Sequence, residues 1–151
     1  MKRTIKKAAV LGSGIMGSRI ACHFANIGVE VILLDIVPRD LDEKDKNNPA
    51  ARNKLVNDAL QTAIKSNPSP LYDKLKARLI ETGNFDDDLN RIKDVDWIIE
   101  VVVENLDIKK SLFDKVEKER KPGTLITSNT SGIPIHLMLE GRSEDFQKHF
   151  C

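Results

Sequence analysis

The sequence predicts an α/β fold built on a doubly wound parallel sheet, and three observations carry that prediction. Apolar runs of strand length alternate with segments of helical period along the chain. The runs at 7–11, 29–34 and 97–103 are apolar almost throughout, as strands covered on both faces must be. Between the first two, a Gly12-Ser13-Gly14-Ile15-Met16-Gly17 turn joins strand to helix. Right-handed crossovers then place helices on both faces of the sheet. In such a sheet a ligand sits beyond the carboxyl ends of the strands.

The chain has 151 residues, about one domain's worth, and enough to bury a core. Its hydrophobic fraction of 40% and charged fraction of 31% are those of an ordinary soluble globular protein. A net charge of +1 gives no electrostatic reason to expect nucleic acid or a charged membrane surface as partner. No apolar run is long enough to cross a bilayer, and the basic lead 1–7 reads as a solvated approach to the first strand. Cys22 and Cys151 have neither metal-ligand spacing nor the pattern of a disulfide framework, so a reducing, cytoplasmic setting is expected.

The first strand, 7–11, ends at the glycine turn, and each glycine has its own task. Gly12 turns the chain sharply, Gly14 lets a diphosphate approach the backbone, and Gly17 lets the following helix pack close to the strand. The exposed N–H groups at the helix start, with the helix dipole behind them, suit phosphate anions. The helix carries Ile20, Cys22 and Phe24 and stops at Gly28. The second strand, 29–34, then delivers Asp35 to its end. A carboxylate about twenty residues beyond the glycines accepts the adenine ribose hydroxyls and repels a 2′-phosphate, so NAD is expected over NADP. Arg39 reads as a surface residue, and a turn-capping role for Asp35 beside Pro38 is the competing reading.

Further along, 39–48 is a polar excursion. Residues 49–66 have helical period, 72–77 form a shorter helical piece, and 78–83 a third strand. The acidic stretch 84–94, with Asp86-Asp87-Asp88, reads as a solvated loop and helix start rather than a metal site, and no metal is expected. The fourth strand, 97–103, leads to Glu104-Asn105-Leu106 and a helix over 107–120, closed by Pro122-Gly123. A fifth strand, 124–128, precedes the turn Asn129-Thr130-Ser131-Gly132 and a short helix over 134–139. Residues 146–151 are expected to begin a sixth strand. The glycine turn, Asp35, Glu104 and 129–131 all follow strands, so four clusters should open onto one crevice.

Three ordered motifs, Ala9 to Ser18, Val103-Glu104-Asn105-Leu106 with Lys109, and Ser128-Asn129-Thr130-Ser131-Gly132, closely resemble the Rossmann-type NAD-binding domain of the L-3-hydroxyacyl-CoA dehydrogenases of fatty-acid β-oxidation. The long polar insert after Asp35 is most similar to the large bacterial multifunctional branch, where an enoyl-CoA hydratase-like region lies further along. The resemblance implies roles by position. Gly12, Gly14, Ile15, Met16 and Gly17 would hold the pyrophosphate and Asp35 the adenine ribose. Val101, Glu104 and Lys109 would line the nicotinamide half, with Asn129 beside the nicotinamide ribose. Ser131 would bond the substrate's 3-oxygen and orient the catalytic histidine. For Glu104 and Asn129 capping, and for Ser131 a plain turn hydroxyl, remain the alternatives.

The family's general base is a histidine in a His-Phe-Phe-Asn-Pro segment, paired with a glutamate, and Phe150-Cys151 places it about three residues past Cys151. His23, His136 and His149 do not match it. The expectation is therefore a single NAD-binding domain over 1–151, truncated before the helical C-terminal domain that completes the acyl-CoA pocket and mediates dimer contacts. It should bind NAD without significant turnover. A 3-hydroxyisobutyrate- or 6-phosphogluconate-type dehydrogenase, and a non-catalytic dinucleotide-sensing module, are the rival readings.

Overall fold

A computed structural model describes residues 4–151. Five strands, β1 (Lys7–Leu11), β2 (Glu30–Asp35), β3 (Ile80–Asn84), β4 (Trp97–Glu100) and β5 (Leu125–Ser128), form one sheet in the order β3-β2-β1-β4-β5. Every pairing is parallel. β1 takes the centre because it has no face to show water: Ala8, Ala9, Val10 and Leu11 are all fully buried.

Alternation along β1 divides the core into two layers. Ala8 and Val10 pack with Cys22, Phe24, Val31, Leu33 and Val56. Ala9 and Leu11 pack with Ile98, Phe113, Ile126 and Phe146. Helices α1 (Ile15–Asn26) and, after the short α2 (Pro49–Arg52), α3 (Lys54–Lys65) cover the first layer. Helices α4 (Leu106–Glu119), α5 (Ile135–Leu139) and α6 (Glu144–Lys148) cover the second. The chain winds outward through β2 and β3, then crosses back to β4 beside β1. That reversal opens a crevice between the ends of β1 and β4. Register levels its rim: Leu11 lies opposite Leu34 and Glu100, and Glu100 opposite Ser128.

The doubly wound parallel fold is the one the sequence predicts; most element bounds differ by a residue or two, and four differences have a physical reason that can be read. The helix expected over 49–66 breaks at Asn53, whose Oδ1 accepts from Asn84 Nδ2 at 2.7 Å, while Arg52 reaches Asp87. β3 starts two residues late because a 3₁₀ helix, Lys74–Leu79, runs directly into it. β4 stops at Glu100 rather than 103: the Glu100 carboxylate accepts the Val102 N–H at 2.7 Å and turns the chain out of the sheet.

The sixth strand expected over 146–151 is the clearest correction, since 144–148 is helical. Ser143 caps that helix by accepting from Phe146 N, and Glu144 and Asp145 sit in its first turn, where carboxylates favour the dipole. Phe146 is fully buried, with the Arg120 and Arg142 guanidinium groups 5.3 and 5.7 Å from its ring centre. Only the last residues follow β5. The Ile126 N–H donates to His149 O at 2.8 Å, the Cys151 N–H to Ile126 O at 2.9 Å, and the Ser128 N–H to Cys151 O at 3.1 Å.

Candidate dinucleotide site

The glycine turn has the strain and the openness its sequence implies. Gly12 has φ +111°, a backbone that L side chains avoid, and a Cβ there would lie 2.6 Å from Val101 O. A Cβ on Gly17 would lie 1.8 Å from Gly12 O, so α1 reaches the strand only through a glycine. At Gly14 a Cβ would meet nothing within 4 Å, and this residue is the N-cap of α1. No side chain caps that end, and no acidic residue stands in its first turn. Gly12 N–H is taken by Leu34 O and Ser13 N–H by Asp35, so it is the Gly14, Ile15 and Met16 N–H groups, with the positive end of the helix dipole, that face the crevice without an internal acceptor. Ile15 and Met16 are exposed beside it.

Asp35 ends β2 and curls back to the same turn. Its Oδ2 accepts from Ser13 N at 2.7 Å and Ser13 Oγ at 2.5 Å, and its Oδ1 accepts from Ile36 N at 2.7 Å. A carboxylate offers about four acceptor positions, so capacity remains for ribose hydroxyls. Ser13, which the sequence does not single out, fixes the distance between acid and glycines. An open glycine approach, an uncapped helix start and a half-buried carboxylate with spare lone pairs fit a dinucleotide.

Across the crevice, Glu104 acts as the hub of the 129–132 turn. Its Oε1 accepts from Thr130 Oγ1 at 2.5 Å, Gly132 N at 2.9 Å and Ser131 N at 3.1 Å, while Lys109 Nζ lies 3.3 Å from Oε2. The Thr130 hydroxyl first, then the Gly132 N–H, hold its carboxyl at a pKa of about 2. The capping alternative for Glu104 falls away, because Asn105 accepts from Ile108 N and caps α4.

Lys109 lies beneath the crevice. It is fully buried, and its Nζ is 2.8 Å from both oxygens of Glu100, itself fully buried. Glu100 is the polar residue that sequence reasoning passed over. It sits inside an apolar strand run, and its only signal is that an ionised carboxylate there requires a partner.

One cleft of about 400 Å³ gathers Gly14, Ile15, Met16, Val101, Glu104, Asn129 and Ser131, with Val102 and Val103 added. Gly12, Gly17 and Asp35 do not line it: the two glycines are buried behind the turn, and Asp35 is tied to that turn through Ser13. Of the histidines, His23 and His136 are exposed on α1 and α5. His149 Nδ1 is 2.7 Å from Asp145 O, and its backbone pairs near the start of β5, two residues below the rim.

A parallel sheet whose first strand ends in an open glycine turn, with an acid at the end of the second, defines a dinucleotide-binding domain. The chain belongs to the NAD-binding domain family of the 3-hydroxyacyl-CoA dehydrogenases: the family model "3-hydroxyacyl-CoA dehydrogenase, NAD binding domain" matches residues 7–151. Its cofactor is NAD. A probable 3-hydroxyacyl-CoA dehydrogenase of Bacillus subtilis is 49% identical over 156 residues, covering 99% of this chain and 20% of the relative. A protein of the same description from Deinococcus radiodurans is 50% identical over 146 residues, covering 97% of this chain and 40% of the relative. The dehydrogenase part of multifunctional enzyme 1 of C. elegans superposes with a TM-score of 0.70 at 18% identity, over 98% of this chain and 31% of that structure, and shares the fold. The chain thus spans between a fifth and two fifths of the curated relatives' length. Among the described residues, no helix is long and apolar enough to cross a membrane.

Proposed function

We propose that this domain serves an enzyme that oxidises L-3-hydroxyacyl-CoA to 3-ketoacyl-CoA. The observation that carries the reading is the meeting of the glycine turn with Glu104, Asn129 and Ser131 in one cleft. NAD, when bound, accepts the hydride. Gly14, Ile15 and Met16 receive its diphosphate and Asp35 its adenine ribose, while Val101 and Asn129 border the nicotinamide half. Ser131, exposed at the cleft, binds the substrate's 3-oxygen, its backbone held by Glu104. The general base and the rest of the acyl-CoA pocket come from sequence outside these 151 residues. None of His23, His136 and His149 stands at the cleft, so this chain alone should bind NAD and turn over negligibly. The whole protein is read as a cytoplasmic, dimeric enzyme of the multifunctional type.

Ser131→Ala in the whole enzyme tests the assignment. The kcat for acetoacetyl-CoA reduction should fall about a hundredfold, the scale of one lost oxygen-stabilising donor, with NADH affinity retained. An unchanged kcat would remove Ser131 from the chemistry.

A further inference from the structure

Beneath the cleft, Glu100 ties together the ends of three elements. Its two oxygens hold Lys109 Nζ of α4 at 2.8 Å each, Oε1 also accepts the Val102 N–H beyond β4 at 2.7 Å, and Oε2 accepts the Ser128 hydroxyl at the end of β5. The backbone repeats the tie, since the Asn129 N–H donates to Glu100 O at 2.8 Å. Both members of the ion pair are fully buried.

Lys109 has a second carboxylate within reach, Glu104, at 3.3 Å on its outer side. The same Glu104, through its other oxygen, holds the Thr130 hydroxyl and the Ser131 and Gly132 N–H groups. One buried ammonium therefore stands between an inner carboxylate that pairs with no other cation among the described residues and an outer one that organises the rim. If the inner charge is lost, the ammonium must draw its whole compensation from Glu104, because a buried charge left unpaired is costly. Glu104 then moves inward and the 129–132 turn loses its acceptor.

We propose that Glu100 is a positioning residue: by holding Lys109 down and Ser128 in line, it leaves Glu104 free to set the geometry of Ser131 and the nicotinamide side of the cleft. This rests on the NAD-site reading above only for its ligand arm. Asp35 ends β2, on the far side of β1 from this network, and Glu100 bonds neither to it nor to the glycine turn.

The test compares Glu100→Gln, which keeps the shape and removes the charge, with Glu100→Asp, which keeps the charge on a shorter stem. In ligand-free protein, the Ser131 and Gly132 backbone amide resonances should shift in Glu100→Gln and return most of the way in Glu100→Asp. NADH affinity should fall about tenfold in Glu100→Gln, the scale of one misplaced charged hydrogen-bond partner, while ADP-ribose, which lacks the nicotinamide, binds within about twofold of the parent chain. Unmoved amides, equal effects of Gln and Asp, or equal losses of NADH and ADP-ribose would each overturn the proposal. Failure of the unaltered chain to bind ADP-ribose would strike the NAD-site reading, and the amide shifts would still decide the role of Glu100. Should Glu100→Gln not fold, Ser128→Ala removes one arm and leaves the ion pair intact. Shifted 129–132 amides with ADP-ribose affinity retained would support the proposal, and unshifted ones would overturn it.

Discussion

Gly14 and Gly17 stand three residues apart and are glycine for opposite reasons. At Gly17 the missing side chain is filled by protein, since a Cβ would fall 1.8 Å from Gly12 O. At Gly14 it is filled by nothing within 4 Å. Gly17→Ala should therefore destabilise the fold by at least 1–3 kcal/mol, the usual cost of overpacking, because α1 must lift from β1. Gly14→Ala should leave stability within about 1 kcal/mol, as its φ of −54° suits alanine, yet weaken NAD binding tenfold or more. Urea melts and calorimetric titration separate the two, and a stable Gly17→Ala protein would refute the packing argument. The spacing of these glycines is visible in the sequence because the ligand demands it of the local chain. Glu100 is hidden for the converse reason. Its meaning depends on Lys109, nine residues on, and Ser128, twenty-eight residues on.

The turn at 129–132 behaves as an element governed by one titration. Its three donors converge on Glu104, whose carboxyl falls from an ordinary 4.5 to about 2. A carboxyl lowered on folding lends stability above its unfolded value and withdraws it as pH falls through the folded one. The turn should therefore be fully held above about pH 4.5 and released as pH approaches 2. Amide shifts of Thr130 and Gly132 followed with pH should report a midpoint near 2, and one near 4.5 would contradict the network. At this scale the sequence is legible for long periodic segments and poor for short ones. β1, α1 and β2 follow from period and glycine punctuation alone. α6 does not, because five residues are too few to display a period, although Phe146 and Phe150 carry helical four-residue spacing. The fourth strand is overread because Val101, Val102 and Val103 continue its composition after Glu100 has already turned the chain.

Considered whole, the molecule is two apolar layers separated by a sheet of one strand's thickness. Phe24 packs edge-on to Trp97 at 5.2 Å in one layer, and Phe113 meets Phe146 at 5.8 Å and Phe150 at 5.2 Å in the other. Phe24→Leu and Phe113→Leu should each cost about 1–2 kcal/mol. Because no partner is shared across the sheet, their sum should hold in the double variant to within about 0.5 kcal/mol by urea denaturation. A larger discrepancy would mean that the layers communicate through β1. The parallel order was legible because alternating periods and right-handed crossovers admit few arrangements. The level rim at Leu34, Leu11, Glu100 and Ser128 was not, since register is decided by pairing between distant strands.

α4 and α6 begin on their own capping side chains, Asn105 and Ser143, whereas α1 begins on none. Its first N–H groups have no side-chain acceptor, so a visitor's oxygens that bind them stabilise that end of the helix. Whatever raises the nicotinamide dinucleotide concentration around this domain also tightens the joint between its first strand and first helix, on which the central layer of the protein is hung.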